Sequence, residues 1–380
     1  MLGSVMMDPS YLDYNATAPL RPASRDAMMD AAGQPGNPSS IHTAGRAARA
    51  VIETARHRVA ELIARPPPEI IFTSGGTEAD MLALTGTRAG TILTSSIEHD
   101  AVLQAAPDAT RLPVDATGVL DLAALEAALA AHAHRDTPAL VSVMWVNNET
   151  GVLQPIAEAA RLVHAAGGLL HVDAVQGVGR RDPAEIQDAD LVSLSAHKLG
   201  GPPGVGALAV RAGLSLTPLI RGGGQELSRR SGTENLIGIA GFGAAASEVA
   251  ELWPAEVDRI TALRDRIEQA VLAAAPEARI MGQDAPRVGN TSNIALPGVS
   301  AETQVMTLDL SGVMVSAGSA CSSGKVKSSH VLAAMLGDDP VAGHAIRVSL
   351  GWASSDTDAD RFIAAWHTLR SRLSPAARAA

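Results

Sequence analysis

The chain has a single cysteine, Cys321, in 380 residues. That excludes an intramolecular disulfide framework and any zinc site needing several thiolates, and it fits a reducing compartment. Lysine is nearly as scarce. Of 30 basic residues only Lys198, Lys325 and Lys327 are lysines, so a lysine kept in this chain points to chemistry that arginine cannot do. Basic charge is in deficit against 40 acidic residues, and a net charge of −10 argues against nonspecific binding to nucleic acid or an anionic membrane. Long apolar runs are missing as well. The most apolar internal stretch, Leu236 to Ala246, falls short of the roughly 20 residues that cross a bilayer. The opening MLGSVMMDPS has neither a basic segment nor a long apolar run. A soluble, cytoplasmic protein is expected, with no membrane or nucleic-acid partner.

What is present is a large apolar fraction, 46%, enough for a sizeable core, in a length that suggests two domains. Short apolar runs at 69–74, 91–96, 139–146, 168–174, 190–196 and 204–210 read as strands. The stretches 46–63, 121–132 and 155–166 carry helical periodicity. Strands alternating with helices predict an α/β fold with a mainly parallel sheet covered on both faces. A long helix is expected around 255–274, with Pro254 as a hinge near its start. The domains are therefore set at 15–253, a large one, and 254–380 together with 1–14, a smaller C-terminal α/β one carrying Cys321 and Arg347.

In open α/β sheets ligands gather at the carboxyl ends of strands. Five polar clusters fall at such ends: Ser74-Gly75-Gly76-Thr77, Glu98-His99, Asn147-Asn148-Glu149, Asp173 with Gln176, and Ser195-Ala196-His197-Lys198. The glycine turn is a phosphate cradle at a helix N-terminus, or else a plain tight turn with Thr77 as N-cap. Asp173, ending a buried run, caps a turn or pairs with a protonated ring nitrogen of a cofactor. Lys198 is a solvated lysine or a partly desolvated amine able to form a Schiff base. His99 is a structural hydrogen-bonder or a ring stacked on a flat cofactor. His132 and His134, two apart, read as solvated, and no metal site is expected. Cys321 lies in the Ser- and Gly-rich run VSAGSACSSGKVKSS with Lys325 nearby to favour its thiolate, which suits a reactive nucleophile. A nicotinamide dehydrogenase is set aside because no G-x-G-x-x-G follows the first strand.

Taken together, these segments resemble the cysteine desulfurases, pyridoxal-phosphate enzymes of the class V aminotransferase family. The likeness runs nearly end to end: YLDYNATAP (11–19), GNPSSIHTAGRAA (36–48), EIIFTSGGTEAD (69–80), SSIEHDAV (95–102), VNNETG (146–151), HVDAVQ (171–176), SLSAHKLGGPPGVG (193–206), GGGQE (222–226), RSGTEN (230–235), SAGSACSSG (316–324) and IRVSLG (346–351). The Cys321 stretch looks like the long-loop class that serves iron–sulfur assembly and nitrogen fixation.

The resemblance implies fold type I of the pyridoxal-phosphate-dependent transferases, with a seven-stranded sheet in the large domain, and pyridoxal 5'-phosphate as cofactor. Lys198 would hold the cofactor as a Schiff base. Asp173 would pair with its ring nitrogen, Asn148 and Gln176 would contact its phenolic oxygen, and His99 would stack on its ring and relay protons. Gly76, Thr77, Ser195 and His197 would hold its phosphate, and Thr233 would reach the phosphate of a neighbouring subunit in a homodimer. Arg347 would clamp the carboxylate of L-cysteine, with Asn148 beside it. Cys321 would accept the sulfur and pass it to an acceptor or iron–sulfur scaffold protein. The rivals are a selenocysteine lyase or related β-eliminating lyase of the same fold, and a non-catalytic subunit of that fold which only binds a partner.

Overall fold

The computed structural model describes residues 9–132, 137–318 and 329–373. Its strands, in chain order, are β1 (Ser10–Tyr11), β2 (Ile70–Thr73), β3 (Thr91–Ser95), β4 (Thr110–Leu112), β5 (Ala139–Met144), β6 (Leu169–Asp173), β7 (Leu191–Ser195), β8 (Gly206–Val210), β9 (Arg279–Ile280), β10 (Thr291–Ala295), β11 (Val313–Met314), β12 (Ser316–Ala317) and β13 (Ala345–Ser349). β2 to β8 form one seven-stranded sheet in the order β2-β8-β7-β6-β5-β3-β4. β5, β7 and β8 are buried along their whole length, the burial that continuous apolar runs produce when both faces are covered.

Pairings among β3, β4, β5, β6 and β7 are parallel, whereas β8 is antiparallel to both β2 and β7. The reason is connection length. Residues 196–205 hold one short 3-10 turn and no α-helix, too little chain for the crossover that a parallel return requires. β8 opens on Gly206, where a side chain would sit 2.7 Å from the Cα of Gly75 and 2.5 Å from the carbonyl of Leu194. The bare backbone there lets the Gly75 turn pack onto the sheet edge.

A second, antiparallel sheet runs β12-β13-β10-β9, and β1 pairs in parallel with β11 beside it. The described apolar residues form two large cores and two smaller clusters, one of these with Ile71, Leu82, Leu140 and Leu208 and the other with Ile97, Met281, Val331 and Leu332. The larger core packs on the seven-stranded sheet and includes Ile52, Trp145, Phe242 and Val249. The other joins Leu12, Ile260, Ile267, Ile346, Phe362 and Trp366, the last two with stacked rings.

The helix expected to begin near residue 255 instead runs unbroken over Leu236–Ala274, with Pro254 inside it. Proline removes one helical N–H and crowds the preceding turn, so a local reading ends the helix there. Arg21 supplies what the local reading lacks. Its guanidinium bonds Glu248 at 2.9 Å and Glu256 at 2.7 Å, one on each side of Pro254, and lies over the Trp352 ring. The same helix is long and apolar enough to cross a membrane by length and composition, contrary to the short run read from Leu236 to Ala246. Its apolar window is 56% buried inside the protein, as befits a helix shared by two cores. His132, read as solvated, is buried against the Thr137 carbonyl at 2.8 Å, because it ends the helix Leu122–His132 where the chain turns back toward β5. His134 lies outside the described residues.

Candidate active site

The C-terminal ends of β3, β5, β6 and β7 and the N-terminus of the helix Gly76–Gly86 open onto one cavity of about 300 Å³. It is lined by Gly76, Thr77, His99, Asn148, Asp173, Gln176, Ser195, His197, Lys198 and Arg347, with Asn15 and Asp80. Ten of the twelve expected site residues therefore meet in one place. Thr233 is exposed, in the stretch before the helix Leu236–Ala274, and does not line this cavity. Cys321, with Lys325 and Lys327, lies outside the described residues.

The helix at the glycine turn starts at Gly76 and is capped by Gly75, so Thr77 is its second residue and not its cap. The early backbone N–H groups of such a helix have no partner within it. A side chain at Gly76 would press on Val175 at 3.0 Å and on Ser195 at 3.5 Å, which brings the turn against the end of β7.

Asp173, the last residue of β6, is 6% exposed and accepts the Val175 N–H at 3.0 Å. Burial pushes its carboxyl above the usual range, while the Val175 N–H, His99 and Lys198 pull it back. His99 caps the helix Asp100–Ala105 by accepting the Ala101 N–H on Nδ1, so its ring proton sits on Nε2. Burial, partly offset by Asp173, lowers its pKa and keeps the ring neutral at pH 7. Burial and then the neighbouring Lys198 lower His197 to about 4, and its Nδ1 meets the Thr17 hydroxyl at 3.0 Å.

Lys198 Nζ donates to the carbonyls of Asn15, at 2.6 Å, and Ala16, at 2.7 Å. Gln176 donates to the same Asn15 carbonyl at 3.0 Å and accepts from Arg180. Arg347, on β13, is 4% exposed and reaches the Asn148 carbonyl at 3.2 Å. Expected as a clamp for a substrate carboxylate, it already holds one from its own chain: Asp13 Oδ1 lies 2.8 Å from Nη2.

Three contributors carried no role in the sequence reading. Asp13 and Asn15 come from the N-terminal segment and are held at the site in part by residues some 275 to 335 positions away. Asp80 lies one turn into the helix that begins at Gly76. It is fully buried, with Oδ1 lacking a hydrogen bond among the described residues and 3.6 Å from His171 Nε2. Burial, and then the nearby Asp173, raise the Asp80 carboxyl, and burial holds His171 at about 3, so the imidazole is neutral. Spacing along that helix was the one signal for Asp80, since residue 80 follows Gly76 by a single turn. Among the described residues no group of three or more His, Cys, Asp or Glu is placed to hold a metal ion.

The model of the aminotransferase class-V family matches residues 10–362. A cysteine desulfurase of Cereibacter sphaeroides is 44% identical over 94% of each chain, and an IscS-like cysteine desulfurase of Mycobacterium tuberculosis is 39% identical over 98% of each. Among solved structures, a NifS-like protein of Rickettsia africae superposes with a TM-score of 0.87 at 34% identity, covering 96% of this chain and 99% of that one. Folds of this kind are pyridoxal-5'-phosphate-dependent. The cavity fits that cofactor: a lysine amine, a buried carboxylate suited to a ring nitrogen and a helix N-terminus suited to a phosphate share one space. The match spans nearly the whole sheet-and-helix frame that builds this cavity, from β1 to the last helix, and the chain belongs to the class-V aminotransferase family.

Proposed function

We propose that the protein is a cytoplasmic cysteine desulfurase. It converts L-cysteine to L-alanine and moves the sulfur to Cys321 as a persulfide, for delivery to an acceptor protein of iron–sulfur or other thio-cofactor synthesis. The step balances: cysteine and the Cys321 thiol give alanine and the Cys321 persulfide. The observation that supports it most is the gathering of Lys198, Asp173, His99 and Arg347 around one cavity.

Pyridoxal 5'-phosphate, when bound, supplies an electron sink for a carbanion at the substrate Cα. Lys198 would hold it covalently through Nζ and, as a free amine, is the base for the Cα proton. The Asp173 carboxylate would pair with the ring nitrogen and keep it protonated. Gln176 and Asn148 would orient the phenolic side. Gly76, Thr77, Ser195 and His197 would hold the phosphate. His99, with its proton on Nε2, would lie against the ring and relay protons from that atom. Arg347 binds the substrate carboxylate.

Thr233, exposed and outside its own chain's cavity, serves the phosphate site of a second copy in a homodimer. On this reading the chain divides at Pro254 into a large unit, 15–253, and a smaller one, 254–380 with 1–14.

Brief exposure of the protein to L-cysteine, followed by mass spectrometry, tests the proposal. One extra sulfur is expected on the peptide carrying Cys321, the only cysteine. Full alanine production by Cys321→Ser would overturn Cys321 as the sulfur acceptor, and pyruvate, ammonia and sulfide in place of alanine would move the protein toward direct β-elimination. Borohydride reduction of the loaded protein should tag Lys198, and Lys198→Ala should lose the tag.

A further inference from the structure

We propose that the backbone carbonyls of Asn15 and Ala16 form a cradle that receives the Lys198 amine whenever it is not bonded to the cofactor, and that Asn15 is the positioning residue which holds this cradle in place. The inference rests on Lys198 being the cofactor-bearing lysine.

Two carbonyls at 2.6 and 2.7 Å take two of the three N–H donors of a lysine ammonium. Charge-assisted bonds of this kind are the strong ones, and they outweigh the rotamer freedom a lysine gives up. The carbonyls are aimed by the Asn15 side chain, which is 2% exposed and bonded at both ends. Its Nδ2 donates to Thr291 Oγ1 at 2.9 Å and to the Asn148 carbonyl at 3.1 Å, and its Oδ1 accepts from Asn290 at 3.0 Å. Its backbone N–H is held by Ser349 Oγ at 3.0 Å. An asparagine tied this thoroughly fixes a turn whose two carbonyls converge on the Lys198 amine, the Asn15 carbonyl also accepting from Gln176 and the Ala16 carbonyl from the Thr17 hydroxyl. In the reaction the cradle gives the released lysine a defined place and orientation, and it also competes with the covalent linkage for the same nitrogen.

That competition gives the test a sign that structural damage does not share. Apoprotein is treated with acetic anhydride at one fixed pH, and acetylation is followed at each lysine by peptide mapping, which the presence of only three lysines keeps simple. Asn15→Ala should acetylate at Lys198 roughly fivefold faster than the unaltered protein, the weight of about one net hydrogen bond, with Lys325 and Lys327 unchanged. Condensation of the apoprotein with pyridoxal 5'-phosphate, in which the amine adds to the aldehyde and water leaves, should also speed up, whereas a merely loosened site would condense more slowly. Thr291→Val, which removes one hydroxyl at nearly constant shape, should shift both rates in the same direction and by less. Unchanged or slower Lys198 acetylation in Thr291→Val and in any folded Asn15→Ala protein would overturn the cradle, and so would slower condensation. Borohydride reduction of the loaded, unaltered protein that tags Lys325 or Lys327 would instead sink the assignment of Lys198, leaving the acetylation rates to decide the cradle alone.

Discussion

Arg347 and Asp13 form an ion pair of 2.8 Å at the cavity where the arginine is proposed to bind substrate, and the other Asp13 oxygen accepts from the Ser316 hydroxyl at 2.6 Å. A buried guanidinium left alone would be costly, so Asp13 stabilises the resting protein, and it also competes with an incoming carboxylate. Asp13→Asn should lower the melting temperature and lower KM for L-cysteine about tenfold, the lower end of what a net hydrogen bond to a charged group contributes. Arg347→Ala should cost on the order of a hundredfold in kcat/KM. Steady-state kinetics and thermal melts check both. A raised KM in Asp13→Asn would mean that Asp13 holds Arg347 in its working pose and does not compete.

Asp173→Ala should still form the Lys198 linkage yet lose alanine production by two to four orders of magnitude. The barrier to Cα proton removal should rise by on the order of 3–5 kcal/mol, as when other preorganised electrostatic partners are removed. Absorbance of the linkage and alanine assays separate the two effects.

Glu98 is fully buried behind the cavity, accepting from the Ser95 hydroxyl and from the Met144 N–H at 2.9 Å. Burial, opposed by those two bonds, raises its carboxyl from 4.5 to about 8. The folded chain therefore holds this proton more tightly than the unfolded chain, and stability falls as pH rises from about 4.5 to about 8. Glu98→Gln should lose less stability than the unaltered protein between pH 5 and pH 8, as read by melts at the two values.

Arg21→Ala should destabilise the protein by about 2–3 kcal/mol, since it strips the brace from both sides of Pro254 and leaves Glu248 and Glu256 without their shared cation. Urea titration with unchanged m-value is the expected signature.

If Thr233 completes a neighbour's site, Lys198→Ala and Thr233→Ala proteins mixed under subunit exchange should regain part of the lost activity. Each hybrid dimer then contains one intact site. No recovery despite exchange verified by mass spectrometry would place the whole site within one chain.

The strands and most of the site were legible because a sheet covered on both faces demands continuous apolar runs, and because polar residues at their ends have few structural excuses. Asp173 and Lys198 stand out for that reason. Asp13 and Asn15 did not, since their roles come from pairings with Arg347, Asn290 and Thr291 at the far end of the chain. The helix start read near residue 255 failed in the same way: local propensity marks a break at Pro254, and Arg21, more than 220 residues earlier, overrides it. Asp80 was hidden for a different reason, because one acidic residue in the first turns of a helix looks like dipole compensation.

The unbroken helix has a mechanical meaning. At 39 residues it is a rod of about 58 Å, rooted in both cores. A swivel between those cores would need soft backbone torsions, and a hydrogen-bonded helix offers few of them. If Arg347 is the carboxylate clamp proposed above, the entropy of bringing it to the cavity that Lys198 also lines is spent when the chain folds, before any substrate arrives.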